Sequence, residues 1–190
     1  MFSQAFVSSQ RMVYLIADLL NVSRLQTGKF IIETKESYLP DVVEEELAQI
    51  TETAQAKGIE LVYEKPQDFT KVFLDETKIR QVIMNFADNA VYYGRSGGKI
   101  IVSLRETKNA IEFTVTDNGI GVPKADQHKL FTKFYRAGNA RKARPDGTGL
   151  GLYMAQKVIT ASGGSVIFKS KEGVGSTFGF TIPKSKLKTA

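Results

Sequence analysis

The sequence predicts an α+β fold of two layers, a mixed β-sheet covered on one face by α-helices, preceded by a long N-terminal α-helix. Three observations carry this expectation. Apolar residues recur at helical spacing in four separate stretches, and strand-like alternation recurs in several others. Several of the strands also follow one another without an intervening helix, which a purely parallel sheet would require. With 190 residues, the chain suits one domain of ordinary size plus an extra element. The expected division is an N-terminal helix at 1–28 and a globular domain at 29–190.

Residues 3–27 read as one helix, with Met12, Leu15, Ile16, Leu19, Val22 and Leu25 at helical spacing. Val13 and Leu20 widen the apolar band beyond what a helix packed on one side needs. Such a helix calls for partners on more than one face, although docking on its own domain would leave the same pattern. Gly28 is a plausible stop. Lys29–Glu33 looks extended. Pro40 opens a second helix, where its missing N–H does no harm, with Val43, Leu47, Ile50 and Ala54 inward and Gly58 at the end. Ile59–Tyr63 and Lys71–Leu74 are short strand candidates. Asp75 caps the next helix, whose inner face is Ile79, Val82, Ile83, Phe86 and Ala90. Lys99–Leu104 and Ala110–Thr116 alternate and join through a polar turn at Lys108-Asn109. A fourth helix covers about Leu150–Ser162 and stops at Gly163-Gly164. Ser165–Ser170 and Ser176–Ile182 form the last strand pair. Arg136–Gly147, charged and poor in apolar residues, reads as a mobile loop.

Composition excludes several classes. Hydrophobic residues at 42% and charged residues at 24% are enough for a sizeable core. No apolar run approaches the roughly 18–20 residues that span a bilayer, and Met1-Phe2-Ser3-Gln4 lacks the features of a signal peptide. There are no cysteines, hence no disulfides and no thiolate metal site. The net charge of +6 suits phosphorylated ligands, anionic lipid or nucleic acid. The basic residues are dispersed, apart from Arg141, Lys142, Arg144 and the tail Lys184, Lys186, Lys188. No basic stripe interleaves with aromatics, so no nucleic-acid partner is expected.

Five segments carry chemistry. In Asn85-Phe86-Ala87-Asp88-Asn89-Ala90 the two asparagines, four apart, share one helix face. Their carboxamides suit a hydrated Mg²⁺ and the phosphates it neutralises, although a surface pair has the same spacing. In Asp117-Asn118-Gly119-Ile120-Gly121-Val122-Pro123, Gly119 and Gly121 let the backbone approach a ligand. Asp117 can accept from an exocyclic amine, and an ordinary strand-ending turn reads alike. Gly147-Thr148-Gly149-Leu150-Gly151-Leu152 opens a helix and offers N–H groups to an anion. It matches neither the dinucleotide fingerprint nor the P-loop. Gly173-Val174-Gly175-Ser176-Thr177-Phe178 enters the last strand. Leu130-Phe131-Thr132-Lys133-Phe134-Tyr135-Arg136 anchors the start of the loop by its aromatics, leaving Arg136 to reach a phosphate; such a cluster also serves as plain core.

The order of these segments resembles the N, G1, F, G2 and G3 boxes of sensor histidine kinases, over about residues 36–183. Residues 3–27 resemble the second helix of the kinase dimerisation domain, which enters a four-helix bundle. The resemblance implies the ATP-binding fold shared with type II topoisomerases, heat-shock chaperones and mismatch-repair ATPases, with ATP and Mg²⁺ as ligands. It implies Asn89 as the Mg²⁺ ligand, Asn85 assisting at the phosphates and Asp117 reading the adenine amine. Gly119 and Gly121 would shape the base pocket, and Gly147, Gly149 and Gly151 would line the phosphate loop. Thr177 would support the adenine side and Arg136 would touch the γ-phosphate. Tyr93, Phe131, Thr148, Leu150 and Leu152 complete the implied ATP site. One departure stands out. Where the family often carries Lys three residues after the magnesium Asn, this chain has Tyr92, so another base, such as Lys133 or Arg141, would have to supply that contact.

The family's topoisomerase branch places a Glu four residues before the magnesium Asn to activate water. Here that position is Asn85, and a carboxamide is no general base. The implied activity is therefore protein-histidine kinase, donating the γ-phosphoryl group rather than hydrolysing ATP. The one histidine, His128, lies before the F box and reads as a surface residue. No phosphoacceptor is present, the first dimerisation helix lies outside this chain, and autophosphorylation of this fragment alone is not expected. Implied partners are the protein's own phosphoacceptor helix, a second copy in a homodimer of the full-length protein, and a response regulator receiver domain. The implied location is the cytoplasm. Two other readings remain: a serine kinase like the anti-sigma factors, which the N-terminal helix disfavours, and a non-enzymatic nucleotide-binding regulator, which Tyr92 favours.

Overall fold

The computed structural model describes residues 16, 19–25 and 27–187. Among the described residues, seven strands run β1 (Lys35–Ser37), β2 (Glu60–Tyr63), β3 (Val72–Leu74), β4 (Lys99–Glu106), β5 (Ala110–Asp117), β6 (Ser165–Lys171) and β7 (Gly175–Pro183). Among the described residues they are accompanied by helices α1 (Leu39–Ala56), α2 (Glu76–Tyr93), α3 (Lys124–Gln127), α4 (Gly138–Ala143) and α5 (Gly151–Ala161), besides the N-terminal helical residues 19–25 and a short 3-10 turn at Lys184–Lys186. The main sheet has the order β2-β4-β5-β7-β6, parallel between β2 and β4 and antiparallel elsewhere. β1 and β3 form a separate antiparallel pair. This is the expected mixed sheet, with α1, α2 and α5 on one face.

Alternation explains which face is covered. Ile100, Val102 and Leu104 of β4, Ile111, Phe113 and Val115 of β5, and Phe178, Phe180 and Ile182 of β7 all point into the core. They meet Ile79, Ile83 and Phe86 of α2 and Val158 and Ile159 of α5. Phe86 stacks on Phe178 with centroids 6.0 Å apart, and Phe168 lies 5.0 Å beyond. Burying each such side chain stabilises the fold by roughly 1.5–3 kcal/mol.

The ends of the helices are set locally. Pro40 occupies the first turn of α1. At its far end Gly58 takes φ +66°, and Ile59 N–H returns to Ala54 O at 2.9 Å. That satisfies orphan carbonyls at the helix end. Asp75 caps α2 by accepting from Lys78 N–H at 3.1 Å, and its other oxygen accepts from Glu33 N–H at 2.9 Å. Arg80 of α2 bridges to Glu45 and Glu46 of α1 and to Glu76 of its own helix.

Sheet pairing begins two residues after the segment Lys29–Glu33, at β1. One expectation changes. The stretch 136–147, expected as a loop, contains helix α4. Of the N-terminal helix, 19–25 are helical, while Met12, Val13 and Leu15 lie outside the described residues. Ile16, Leu19 and Leu20 are exposed, whereas Val22 is buried against Leu150 and Met154 at the start of α5.

Candidate functional site

A cleft of about 550 Å³ opens between α2, the end of β5, and the segment from Tyr135 to Leu152. Asn85 and Asn89 lie on the half-buried side of α2, facing this cleft, while Phe86 and Ala90 point into the core. The glycine turn before α5 lies against them: a Cβ on Gly151 would come within 2.5 Å of Asn85 Oδ1. Only glycine leaves room there for the carboxamide. Gly149 takes φ +70° and places its carbonyl to accept from Phe134 N–H at 3.0 Å.

The other end of the cleft is built on Asp117, the last residue of β5 and one of the few buried acids. Its Oδ1 accepts from Gly119 N–H at 2.7 Å. Burial pushes the Asp117 carboxyl above the usual carboxylate range, against the pull of the backbone N–H groups of Gly119 and Ser176. The turn that follows is pinned by Ile120 N–H to Tyr93 O at 3.1 Å. Gly121, at φ +61°, passes so close to Lys171 O that a Cβ would sit 2.1 Å away.

The segment between Leu130 and Gly147 folds over the cleft as a lid. Asp126 holds its base: Tyr135 OH donates to Oδ1 at 2.7 Å and Gly138 N–H to Oδ2 at 3.0 Å. Asn139 Nδ2 donates to Gly121 O at 2.8 Å, tying α4 to the turn after β5. Arg136 is not free to reach outward, contrary to the sequence-based expectation. Its guanidinium donates to the carbonyls of Ala140, Arg144, Pro145 and Gly147, wiring the lid to itself.

Of the residues singled out from sequence, Asn85, Asn89, Tyr93, Asp117, Gly121, Arg136, Gly147, Thr148, Gly149, Gly151 and Leu152 converge on the cleft wall. Gly119, Phe131, Leu150 and Thr177 do not. Gly119 supports Asp117 from behind. Phe131 packs edge-on against Phe168, with centroids 6.0 Å apart. Leu150 is buried with Val22 and Met154. Thr177 lies on the opposite face of the sheet, its Oγ1 2.9 Å from that of Thr116. In its place Ser176 and Phe178 face the cleft. Lys133 sits over the Phe134 ring, and neither it nor Arg141 reaches the wall; Arg144 does. His128 is exposed at the end of α3.

A family profile described as histidine kinase-, DNA gyrase B- and HSP90-like ATPase matches residues 74–186, from the capping Asp75 through the last strand. The chain belongs to this ATPase family. The adaptive-response sensory kinase SasA of Rippkaea orientalis is 34% identical over 184 residues, 96% of this chain and 46% of the relative. The signal transduction histidine-protein kinase BarA of Escherichia coli K12 is 34% identical over 180 residues, 92% of this chain and 20% of the relative. The chain thus spans under half the length of the curated relatives it matches. Among solved structures, the catalytic domain of histidine kinase ThkA is 27% identical with a TM-score of 0.67, over 80% of this chain and 98% of its own. Full-length ShkA in complex with AMPPNP has a TM-score of 0.79 at 23% identity, covering 100% of this chain and 40% of its own. At that identity the likeness speaks to the fold alone.

In this ATPase domain the wall also includes Met84, Asp88, Ile120, Val122, Asn139 and Arg144, which sequence reasoning left unassigned. One signal for the correction at 176–178 was available. Phe178, Phe180 and Ile182 are apolar at every second position, so Ser176 had to share their face and Thr177 the other.

Proposed function

We propose that this chain is the ATP-binding catalytic module of a two-component sensor histidine kinase. It would donate the γ-phosphoryl group of ATP to a histidine on a dimerisation helix outside this chain, for relay to a response regulator aspartate. One observation carries the reading: the carboxamides of Asn85 and Asn89 face the cleft together, opposite the glycine turn, and no carboxylate occupies position 85. Hydrolysis needs a base to activate water. The acids on the cleft wall are already engaged, Asp88 by Arg144 at 2.9 Å, Asp146 by the same arginine at 3.8 Å and Asp117 by Gly119. A site of this kind works by positioning and charge neutralisation.

Adenine would lie at the Asp117 end, where the carboxylate accepts from an exocyclic amine and Phe178 supplies an apolar wall. Phosphates would lie between α2 and the turn Gly147–Gly151. The oxygens of Asn89 and Asn85 fit a magnesium ion that keeps several waters and leans on phosphate oxygens. When bound, the ion supplies charge neutralisation.

The N-terminal helical segment, with Ile16, Leu19 and Leu20 exposed, would be the second helix of the dimerisation domain, completing its bundle in a homodimer. The module would act in the cytoplasm, where a receiver domain would meet it. ThkA has been solved in complex with the response regulator protein TrrA, and a receiver domain is the partner proposed here.

The test has two arms. Calorimetric titration with AMPPNP, with and without magnesium, should show magnesium-dependent binding that Asn89→Ala weakens. Mixing the chain with a separate dimerisation domain bearing an acceptor histidine and labelled ATP should yield phosphohistidine. Tight binding without transfer would favour a non-enzymatic nucleotide-binding regulator instead.

A further inference from the structure

Helix α2 ends in Tyr92 and Tyr93, and beside the asparagine pair it carries no basic side chain at position 92. The structure brings a different cation there. Arg144, just after α4, lies with its guanidinium carbon 4.5 Å from the centre of the Tyr92 ring. Its Nη1 donates to Asp88 Oδ2 at 2.9 Å. The Tyr92 hydroxyl in turn donates to Ala143 O at 3.3 Å, so the same side chain holds both the guanidinium and the backbone that carries it. On the far side, Lys57 Nζ lies 4.7 Å from the Tyr92 ring centre and donates to Val91 O and Tyr92 O at 3.0 and 2.9 Å. That fixes the last turn of α2. Tyr92 is therefore held through its ring, its hydroxyl and its carbonyl at once.

Arg144 lies on the cleft wall with its side chain only 15% exposed. Its Nε is buried, makes no hydrogen bond among the described residues, and forms an ion pair with Asp146 Oδ1 at 3.8 Å. A buried guanidinium N–H without an acceptor is costly unless a ligand oxygen completes it. The flanking asparagines mark this as the phosphate end of the cleft.

We propose that Tyr92 is a positioning residue that docks Arg144 at the phosphate end, so that the lid supplies the cation that helix α2 lacks there. Asp88 sets the direction of the guanidinium, and Tyr92 sets its plane by stacking, for which Arg suits better than Lys. This rests on the proposed function and names a positioning contact of that same site: a stretch after α4 carries the cation, and the end of α2 holds it in place.

The full chain is tested with Arg144→Gln, Tyr92→Leu, Tyr92→Phe and Tyr92→Lys, each checked for a cooperative thermal melt. Magnesium-dependent affinities for AMPPNP and ADP are measured by calorimetry, and amide exchange of residues 138–146 is followed without nucleotide. A charge-assisted hydrogen bond to the terminal phosphate makes Arg144→Gln lower the AMPPNP-to-ADP affinity ratio by about tenfold or more. Tyr92→Leu should lower the same ratio and speed exchange across 138–146, whereas Tyr92→Phe, which keeps the ring, should stay close to the native chain in the ratio. Placing Lys at 92 should make Arg144→Gln cost less. An unchanged ratio in Arg144→Gln overturns the role of the arginine. A lowered ratio in Arg144→Gln with native behaviour in Tyr92→Leu overturns the positioning by Tyr92. Failure of the native chain to bind AMPPNP at all would overturn the functional reading itself, a result distinct from binding with an unchanged ratio.

Discussion

The carboxylate of Asp117 accepts a 2.7 Å hydrogen bond from the N–H of Gly119, two residues further on. The acid at the end of β5 thus holds the turn that follows it, and its own charge is set by that turn and by burial.

Because burial raises the Asp117 pKa, with the backbone N–H groups opposing, its charged form is lost at a higher pH than for an ordinary carboxyl. As an acceptor for an exocyclic amine the ionised form is the stronger one. AMPPNP affinity should therefore fall on acidification as pH drops through that raised value, starting above the usual carboxylate range. Asp117→Asn should weaken binding by roughly 1.5–3 kcal/mol and flatten the profile. Calorimetry between neutral and mildly acidic pH reads both, and native affinity in the variant would remove Asp117 from the site.

Gly121 and Gly151 should separate stability from binding. Gly121→Ala demands positive φ of a residue with a Cβ and drives it into Lys171 O, which should destabilise the fold by at least about 1–3 kcal/mol in urea unfolding. Gly151→Ala meets only the end of the Asn85 side chain. It should leave the unfolding midpoint nearly unchanged while weakening nucleotide binding. Equal loss of stability in both variants would contradict this division.

Asp75 ties the segment before β1 to the first turn of α2, through Glu33 N–H, Lys78 N–H and the Lys78 ammonium at 2.5 Å. Burial alone would raise its pKa, but these donors outweigh it and hold the carboxyl below its ordinary value. The sign follows: Asp75 contributes stability that is fully present above the unfolded-state pKa and is lost as pH falls through the depressed folded value. Asp75→Ala should cost about 0.5–2 kcal/mol for the cap alone at neutral pH, and the difference between variant and native chain should shrink in acid. A pH-independent difference would show that the charge is immaterial.

Asp126 anchors the lid. The Gly138 N–H and the Tyr135 hydroxyl hold its carboxyl below the ordinary range, so the anchor should survive mild acid. Asp126→Ala should accelerate amide exchange at Gly138 and through α4 while leaving the exchange of β5 and β7 as it was. Protection unchanged at Gly138 would rule out Asp126 as the anchor.

The layers of the fold were legible because burial imposes periods. The alternation in β4, β5 and β7 and the stripes Val43-Leu47-Ile50-Ala54 and Ile79-Val82-Ile83-Phe86-Ala90 all face the core. Caps at Asp75 and Gly58 were legible because their chemistry is local. The lid was not. Gly138–Ala143 has few apolar residues, and it is held by Asp126, Asn139 and Arg136, contacts whose partners are distant or irregular in sequence. The same reason hid Arg144. Nothing local marks its meeting with Asp88, 56 residues away, or with Tyr92. Thr177 was misplaced for a different reason: motif order carried it to the site, whereas strand alternation turned it away.

The four carbonyls gathered by Arg136 have an entropic consequence. A floppy flap must surrender its freedom each time a ligand arrives, and that loss is subtracted from affinity. Here one guanidinium collects the carbonyls of Ala140, Arg144, Pro145 and Gly147 within the flap itself. The flap's disorder is given up during folding, once, and what remains for recognition is a hinged, largely rigid plate.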